Sequence, residues 1–391
     1  MAQSGGGNRP GGGSRPGSGN RQGSGNRKGS GNRRSGPAGS GSSAAERARE
    51  RVEQQGGGGG PRRPPRPGPA RGGRRPANRG SSTAVRAGVF GGTFVVLAAV
   101  VIILVSVLGG GGKAPKSVND FVKPFSDPAI TTAVQHVPAG AFTAAGNAAS
   151  LGPVKAKSTG TAMVTLDGPQ KTLNGKPFIQ YLGADYCPYC AATRWPLTIA
   201  LSRFGSFSGL KLTASTPLDI YHSTHTLTFA SARYSSPYIA FRGIEELTNE
   251  CPSKDVVSNP NYSSTPSYYY PSKYVCNGSY LPLEKPPASL QHLATSYDTN
   301  ALFGSGNGGG IPFIYFGGKY AEDGALYNPG VLHGASWKQI VAALSVPSQG
   351  IGQQVLSVAN RYTAIICNLT GQKPGSVCHT PVIQSAEKAL R

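Results

Sequence analysis

The sequence predicts an α/β domain that follows one membrane-spanning helix, with a disordered basic tail before that helix. Three observations support this prediction: a strand, Cys-Pro-Tyr-Cys and helix pattern over residues 176–203, an uncharged apolar run over 87–108, and a Gly/Arg-rich stretch over 1–86. We therefore divide the 391 residues into a tail (1–86), a membrane segment (87–108), a linker (109–127) and a folded domain (128–391).

The tail carries most of the positive charge. Residues 1–86 contain 18 Lys and Arg residues and three acidic residues, whereas the net charge of the whole chain is +22. A recurring Gly-Ser-Gly-Asn-Arg unit and few apolar side chains predict disorder, because the tail cannot bury enough apolar surface to offset its ordering entropy. Such a tail can bind anionic lipid or nucleic acid. We favour a solvated tail that sets topology, and we do not expect a nucleic-acid partner.

The apolar run over 87–108 has 22 residues and no charged side chain. As a helix, it is long enough to span roughly 30 Å of hydrocarbon. No clear cleavage site follows it, which favours an uncleaved signal anchor. Five arginines between 71 and 86 precede it, and Lys113 and Lys116 follow it, so the N-terminus is predicted to be cytoplasmic. The predicted localisation is the cell membrane, with one pass through the bilayer and the C-terminal domain outside.

The chemistry of the domain is predicted by Cys187-Pro-Tyr-Cys190. An apolar run from Phe178 to Leu182 predicts a buried strand, and Pro188 suits the first position of a helix that continues to Arg203. At a helix N-terminus, free N–H groups and the helix dipole favour a thiolate, which is the attacking species in disulfide exchange. We predict that Cys187 is the exposed nucleophile and that Cys190, set inward, resolves the mixed disulfide.

Two other interpretations of this CxxC stay open. A structural zinc site needs a second close cysteine pair, and the other four cysteines offer none. A permanently closed structural disulfide is the second alternative. The strand and helix that flank the motif favour the redox pair. The histidines show no ligand spacing, and we predict neither a metal site nor a cofactor.

All six cysteines follow the membrane segment, in the compartment where disulfides persist. Sequence proximity favours structural bridges between Cys251 and Cys276 and between Cys367 and Cys378. Alternatively, one of these four is a further exchange partner of Cys187. The first bridge would clamp a surface insertion over about 248–282, whose tyrosines at 268–270 form either a peptide-binding surface or local packing.

Sequence patterns also predict the remaining elements of the domain. They comprise a helical pattern within 128–150, strands at 162–166, 210–215 and 225–230, an apolar–polar pattern over 236–247, a helix over 286–303, a helix over 337–344 with Ser336 as N-cap, and a final amphipathic helix over 352–369.

A second motif lies about 120 residues after the CxxC. Ile311-Pro312 follows a glycine-rich stretch and precedes an apolar strand, a Gly-Gly turn and a short strand. This resembles the Ile–cis-Pro segment of the thioredoxin superfamily, where the proline faces the CxxC and the preceding residue offers backbone hydrogen bonds to a peptide. The alternative is an ordinary edge-strand proline. We take Ile311, Pro312, Tyr186 and Tyr189 as candidate substrate-binding residues.

Longer runs resemble one family. The run from Tyr181 through Cys187 to Trp195, the stretch Tyr234 to Phe241 and Glu245 look like the membrane-anchored, thioredoxin-like family known as domain of unknown function 929. The resemblance covers about 115–385 and implies a thioredoxin-like fold and a membrane tether. With the disulfide-clamped insertion that the cysteine spacing predicts, the expected fold class is a thioredoxin-like α/β domain that carries this insertion. It implies no substrate.

The chain departs from thioredoxins proper in three respects. Tyr186 replaces the tryptophan before the first cysteine, the intervening pair is Pro-Tyr as in glutaredoxins, and Pro196 falls one position later in the helix. The sequence does not identify the buried acid that assists the resolving cysteine in thioredoxins. Asp185 is the candidate base.

These patterns predict a membrane-tethered, extracytoplasmic thiol–disulfide oxidoreductase that acts on protein disulfides. Its redox direction is open. One membrane span supplies no electrons, so a membrane or secreted redox partner is expected. The alternative is a non-catalytic binding or assembly protein of the cell envelope, in which the CxxC is a static disulfide and function belongs to another surface.

Overall fold

The computed structural model describes residues 120–158, 162–260, 262, 272–304 and 308–391. The predicted tail, the predicted membrane segment, most of the linker and the tyrosines at 268–270 lie outside the described residues. Among the helices of the described ranges, none combines the length and the apolar composition that crossing a membrane requires.

The domain is a mixed α/β structure. Its strands are β1 (Met163–Thr165), β2 (Thr172–Leu173), β3 (Lys176–Gly183), β4 (Ser206–Ser208), β5 (Lys211–Ala214), β6 (His225–Thr228), β7 (Arg233–Ser235), β8 (Ala240–Glu245), β9 (Val256–Ser258), β10 (Tyr274–Cys276), β11 (Phe313–Phe316) and β12 (Tyr320–Asp323). Its α-helices are α1 (Pro128–Gln135), α2 (Ala139–Ala145), α3 (Pro188–Ser202), α4 (Ala288–Tyr297), α5 (Asn300–Phe303), α6 (Trp337–Ala343), α7 (Gly350–Thr370), α8 (Gly375–Cys378) and α9 (Pro381–Lys388). Short 3₁₀ turns lie at Ala149–Leu151, Ser253–Asp255 and Pro329–Leu332.

The main sheet has six strands in the order β1-β12-β11-β3-β2, with β8 also paired to β3. The β3–β8 pair is parallel and places Gly183 opposite Glu245. The β11–β3 pair is antiparallel and places Ile314 opposite Tyr181. Smaller antiparallel pairs join β4 to β7, β5 to β6 and β9 to β10. The end of β3 therefore lies beside the end of β8, immediately before the CxxC.

Both faces of the sheet are apolar because side chains alternate along β3 and β11. Ile179, Tyr181 and Ile314 belong to the larger core, which α3 and α7 also form. Leu182 and Phe313 belong to a second core with residues of α4 and α5. The strand that leads into the CxxC is thus buried on both sides.

Helix α3 begins where the sequence predicts. Pro188 is its first residue and Cys187 is its N-cap, whose Sγ accepts the N–H of Cys190 at 3.4 Å. Pro196 lies inside the helix and cannot donate to the carbonyl of Ala192. The hydroxyl of Tyr327 donates to that carbonyl at 2.8 Å, so the freed acceptor is satisfied and the helix continues to Ser202.

Several local predictions are confirmed. The strand–turn–strand pattern after Pro312 forms β11 and β12, and Ser336 caps α6 in a capping box with Gln339. The prediction that the helix over 352–369 is the last one is wrong, because α8 and α9 follow it. The turn at Gly371 reverses the chain, and α9 then buries Val382 in the core formed by α7.

The two structural bridges have the predicted pairing. Cys251 is bonded to Cys276 across the insertion, and Cys367 is bonded to Cys378 between α7 and α8. Both cysteines of the Cys367–Cys378 bridge are fully buried. In the Cys251–Cys276 bridge, Cys251 is buried and Cys276 is half-buried. With these four cysteines paired, Cys187 and Cys190 are the free thiols of the described residues.

Candidate functional site

The two free cysteines lie at the junction of β3, α3 and the Ile311-Pro312 segment. The Cys187 thiol donates to the carbonyl of Ile311 at 3.7 Å. The Ile311–Pro312 peptide bond is cis, as the resemblance implies. The structure thus brings together two motifs that are separated by more than 120 positions in the sequence.

The prediction that Cys187 is exposed is wrong. Only 2 % of Cys187 is accessible, and Cys190 is completely buried. The reason is an apolar cluster, which we call the aromatic cover: Tyr186, Tyr189 and Tyr221 are buried with the cysteines, and Tyr280 and Ile311 pack on them from outside. A helix N-terminus alone does not expose its cap residue when neighbouring loops supply aromatic side chains.

The aromatic cover is built from ring contacts. Tyr186 and Tyr280 are stacked, with ring centroids 4.2 Å apart and planes 7° apart. Tyr189 and Tyr221 meet edge to face at 6.3 Å. Among these rings, Tyr280 is the half-buried one, whereas Tyr186 and Tyr189 are each 7 % exposed. The candidate substrate-binding side chains Tyr186 and Tyr189 therefore lie inside the cover rather than on its surface.

A buried guanidinium lies on the other side of the cysteine pair. Arg194, one turn after Cys190 on α3, is completely buried. Its Nη1 donates to Asp185 Oδ1 at 2.9 Å and to the carbonyl of Leu227 at 2.7 Å. Its Nη2 donates to the carbonyl of Ala184 at 2.9 Å, and its Nε donates to the carbonyl of Cys190 at 3.2 Å. The hydrogen bonds of Arg194 thus connect the residues that precede the CxxC with its last residue.

Glu245 completes a buried charge cluster. Its Oε1 lies 3.5 Å from Arg194 Nε, and it is completely buried at the end of β8. The Oε2 atom of Glu245 has no hydrogen-bond partner in the described part of the chain. We call Arg194, Asp185 and Glu245 the charge cluster.

One guanidinium cannot neutralise two buried carboxylates. Burial raises the pKa of Asp185, and Arg194 opposes that rise. Burial also raises the pKa of Glu245 well above its usual value, because Arg194 offsets the desolvation only in part and Asp185 adds repulsion. Burial by itself would lower the pKa of Arg194, but Glu245 and the neighbouring groups raise it, so the guanidinium stays charged. The arrangement with least buried charge pairs Arg194 with Asp185 and keeps a proton on Glu245.

The same burial acts on the inner cysteine. It raises the pKa of the Cys190 thiol well above its usual value, with a further rise from Cys187 and an opposing effect from Arg194. Burial, followed by Cys190 and Glu245, also raises the pKa of Tyr181, which lies on the same side. Cys190 therefore holds its proton until a neighbouring group accepts it.

The sequence did not identify Glu245 as a site residue, nor Arg194 as its partner. Asp185, the predicted base, forms a buried ion pair with Arg194. The sequence feature that could have identified Glu245 was its place near the end of the apolar–polar pattern over 236–247. Its position beside the CxxC, however, depends on the parallel register that sets it opposite Gly183.

The histidines form a contact that their spacing did not predict. The rings of His222 and His333 meet at 4.7 Å. Burial, with His333 as the second cause, lowers the pKa of His222 to about 4. In the described part of the chain, no group of three or more His, Cys, Asp or Glu side chains could hold a metal ion.

Comparison with known protein families identifies the family of this chain. The model of the family described as "Domain of unknown function (DUF929)" matches residues 162–368, which is more than half of the chain. The chain therefore belongs to this family, as its motifs around Cys187 predict. Searches of the curated proteins and of the solved structures found no match.

Proposed function

We propose that this family member has a thioredoxin-like fold and acts as a thiol–disulfide oxidoreductase through Cys187 and Cys190. One observation carries the proposal: two free thiols share the start of a helix, and the outer one faces the carbonyl that precedes a cis-proline. The other four cysteines are bonded in pairs, so the free pair is available for exchange.

The proposed reaction has two exchange steps. The Cys187 thiolate attacks one sulfur of a substrate disulfide, forms a mixed disulfide and releases the other substrate sulfur as a thiolate. The Cys190 thiolate then attacks Cys187 Sγ, which forms the Cys187–Cys190 disulfide and releases the second substrate thiolate. The substrate gains two electrons and two protons, and the enzyme dithiol loses them. The reverse sequence oxidises a substrate dithiol, and a dithiol or disulfide partner resets the pair in either direction.

The second step needs a group that takes the proton from Cys190. We assign this role to the ionised form of Glu245, directly or through a water molecule, because Asp185 is held by Arg194 and the charges of Glu245 and Cys190 interact. Glu245 must first release the proton that burial favours on it. Burial raises the pKa of Glu245, so its carboxylate is a stronger base than that of an exposed glutamate. Glu245 thus replaces Asp185 as the proposed base.

Thiol trapping across a glutathione redox series tests this function on the full-length chain in detergent. We expect the Cys187–Cys190 pair to open and close reversibly, while the two structural bridges stay closed. Cys190→Ser should accumulate mixed disulfides with added disulfide peptides, because the resolving thiol is absent. Cys187→Ser is the matched control and should accumulate none. If neither variant traps a substrate, the proposed chemistry is wrong.

The burial of Cys187 favours a second candidate function, a binding or assembly protein with a static CxxC disulfide. A nucleophile that is 2 % exposed meets a protein substrate only after a local opening. The same redox series separates the two functions. A pair that stays closed at every potential supports the binding protein, and a reversible pair supports the oxidoreductase.

We also propose that residues 87–108 tether the domain outside the cytoplasmic membrane. The support is the 22-residue uncharged run with its excess of arginine on the N-terminal side. After expression in a bacterial host, the full chain should stay with membranes in alkaline carbonate. Added protease should digest the domain in spheroplasts and spare the tail. Release by carbonate, or protection of the domain, would contradict the tether or its orientation.

A further inference from the structure

A cavity of about 340 Å³ lies between the segment that follows α2, helix α7 and the end of helix α9. It is lined by residues of 147–153, by Arg361 of α7 and by residues of 386–391, and we call it the basic cavity. Its volume is within the range of small-molecule sites. It shares no residue with the aromatic cover or the charge cluster, so it is separate from the thiol site.

Arg361 is a buried cation without an ion pair. Only 5 % of this residue is accessible. The ion pairs of the described residues do not include Arg361. Buried charges in proteins are ordinarily paired, as Arg194 is with Asp185 in this chain. The guanidinium of Arg361 therefore carries a charge that an anion in the basic cavity would compensate.

The hydrogen bonds of Arg361 leave part of its guanidinium available. Nη1 donates to the carbonyl of Leu151 at 2.9 Å, and Nη2 donates to the carbonyl of Gly152. These two bonds join the 3₁₀ turn at Ala149–Leu151 to α7, but carbonyl groups bring no net charge. The other N–H groups of Arg361 have no hydrogen-bond partner in the described part of the chain.

The carboxyl groups near the basic cavity are bonded elsewhere, and neither of them lines it. Burial lowers the pKa of Arg361, and Glu322 opposes this effect through its charge. Glu322, however, accepts the hydroxyl of Tyr362 at 2.6 Å. Glu387, next to Lys388 in sequence, accepts a hydrogen bond from Gln372 at 2.6 Å. The described residues that line the cavity include no Asp or Glu.

The rest of the lining is suited to an anion with a short apolar part. The exposed side chain of Lys388 adds a second cation, and Leu151 and Ala386 add apolar surface. Asn147 donates from Nδ2 to the carbonyl of Val382 at 3.1 Å, whereas its buried Oδ1 has no partner in the described residues. A polar group of a ligand, or a water molecule, would satisfy this oxygen.

We propose that the basic cavity binds a small organic carboxylate, whose carboxylate group is held by Arg361 and Lys388. The planar guanidinium matches the two oxygens of a carboxylate, and a charge-assisted hydrogen bond is stronger than a neutral one. This inference is independent of the proposed function, because it concerns a different site. In the alternative, Arg361 only joins the 3₁₀ turn to α7, and water covers its other N–H groups.

Isothermal titration calorimetry of the full-length chain in a non-ionic detergent tests this site. The probes are sodium butyrate and butyramide, its neutral isostere, at constant ionic strength. We expect butyrate to bind at least about tenfold more tightly than butyramide, because the amide makes no charge-assisted hydrogen bond as an acceptor. Arg361→Gln should weaken butyrate binding at least about tenfold. Lys388→Gln removes an exposed charge and should weaken it about threefold.

Lys338→Gln is the matched control, since Lys338 is exposed on α6 and does not line the basic cavity. It should leave the affinity for butyrate unchanged. Lys388→Gln keeps both bonds of Arg361 to the 3₁₀ turn, so it decides the test if Arg361→Gln unfolds. Equal affinities for butyrate and butyramide, or no butyrate binding by the parent, would overturn the site. Butyrate binding that is the same in the parent and in Lys388→Gln would also overturn it, and would favour the arginines of residues 1–86 as the binding groups.

Discussion

The two sides of the cysteine pair differ in the interactions that hold them together. On the inner side, the charge cluster is completely buried, and Arg194 alone donates to three backbone carbonyls and a carboxylate. On the outer side, the aromatic cover consists of ring contacts, and its outermost member is half-buried. The inner side is fixed by directional bonds that the chain cannot replace, whereas ring packing is prominent on the outer side.

This difference separates two tasks. A resolving cysteine benefits from a fixed environment that controls its proton, and burial by the charge cluster supplies one. A nucleophile needs an environment that can open, and ring packing opens at lower cost than a buried ion-pair cluster. The three predictions below measure how unequal the two sides are.

Arg194→Met should have the largest effect. The substitution keeps most of the side-chain volume but leaves Asp185 and Glu245 buried without their cation. Breaking a buried ion pair in this way costs roughly 3–5 kcal/mol of the free energy of unfolding. Urea unfolding of the full chain, followed by the fluorescence of Trp195 and Trp337, its two tryptophans, measures the loss.

Arg242→Met is the matched control for this prediction. Arg242 is exposed on β8 and lies over the ring of Phe178 at 5.9 Å, a contact worth about 0.5–1 kcal/mol at an exposed site. Equal losses in the two variants would show that Arg194 does not hold the inner side together.

Glu245→Gln should change how stability depends on pH. The pKa of Glu245 is raised in the folded state, first by burial, so its contribution is fully present below the unfolded pKa and is lost as pH rises through the folded value. Glutamine stays neutral and removes this loss. Relative to the variant, the parent should lose about 1.4 kcal/mol for each pH unit by which the folded pKa exceeds the unfolded value.

Urea unfolding at intervals from pH 4 to pH 8 gives the comparison. The parent should lose stability relative to Glu245→Gln above about pH 4.5, the usual pKa of a glutamate. Asp167→Asn changes an exposed position, and its free energy of unfolding should follow the same pH dependence as that of the parent. Parallel curves for the parent and Glu245→Gln would mean that Glu245 is ionised in both states, and the arrangement proposed for the charge cluster would be wrong.

The predictable parts of this site are the local ones. Pro188 and the N-cap position of Cys187 set the start of α3, and Gly317-Gly318 sets the turn between β11 and β12. Each depends on neighbours in sequence, so composition and spacing carry the information.

The unpredicted parts depend on distant pairing. Glu245 reaches the CxxC through the parallel register of β8 with β3, and Tyr280 reaches Tyr186 through the path of the insertion. An arginine in a helix is usually exposed, so nothing local marked Arg194 as buried. The exposure predicted for Cys187 failed for the same reason, since the rings that cover it come from segments 34 and 93 residues further along the chain, at Tyr221 and Tyr280.

Tyr280→Ala should have the smallest effect on stability. The ring is half-buried and stacks on Tyr186, so the substitution removes an aromatic pair at the edge of the cover. We expect a cost of about 1 kcal/mol in the same urea experiment. Tyr262→Ala, an exposed tyrosine of the same insertion, should cost less than about 0.5 kcal/mol. If Tyr280→Ala cost as much as Arg194→Met, the outer side would be as fixed as the inner one.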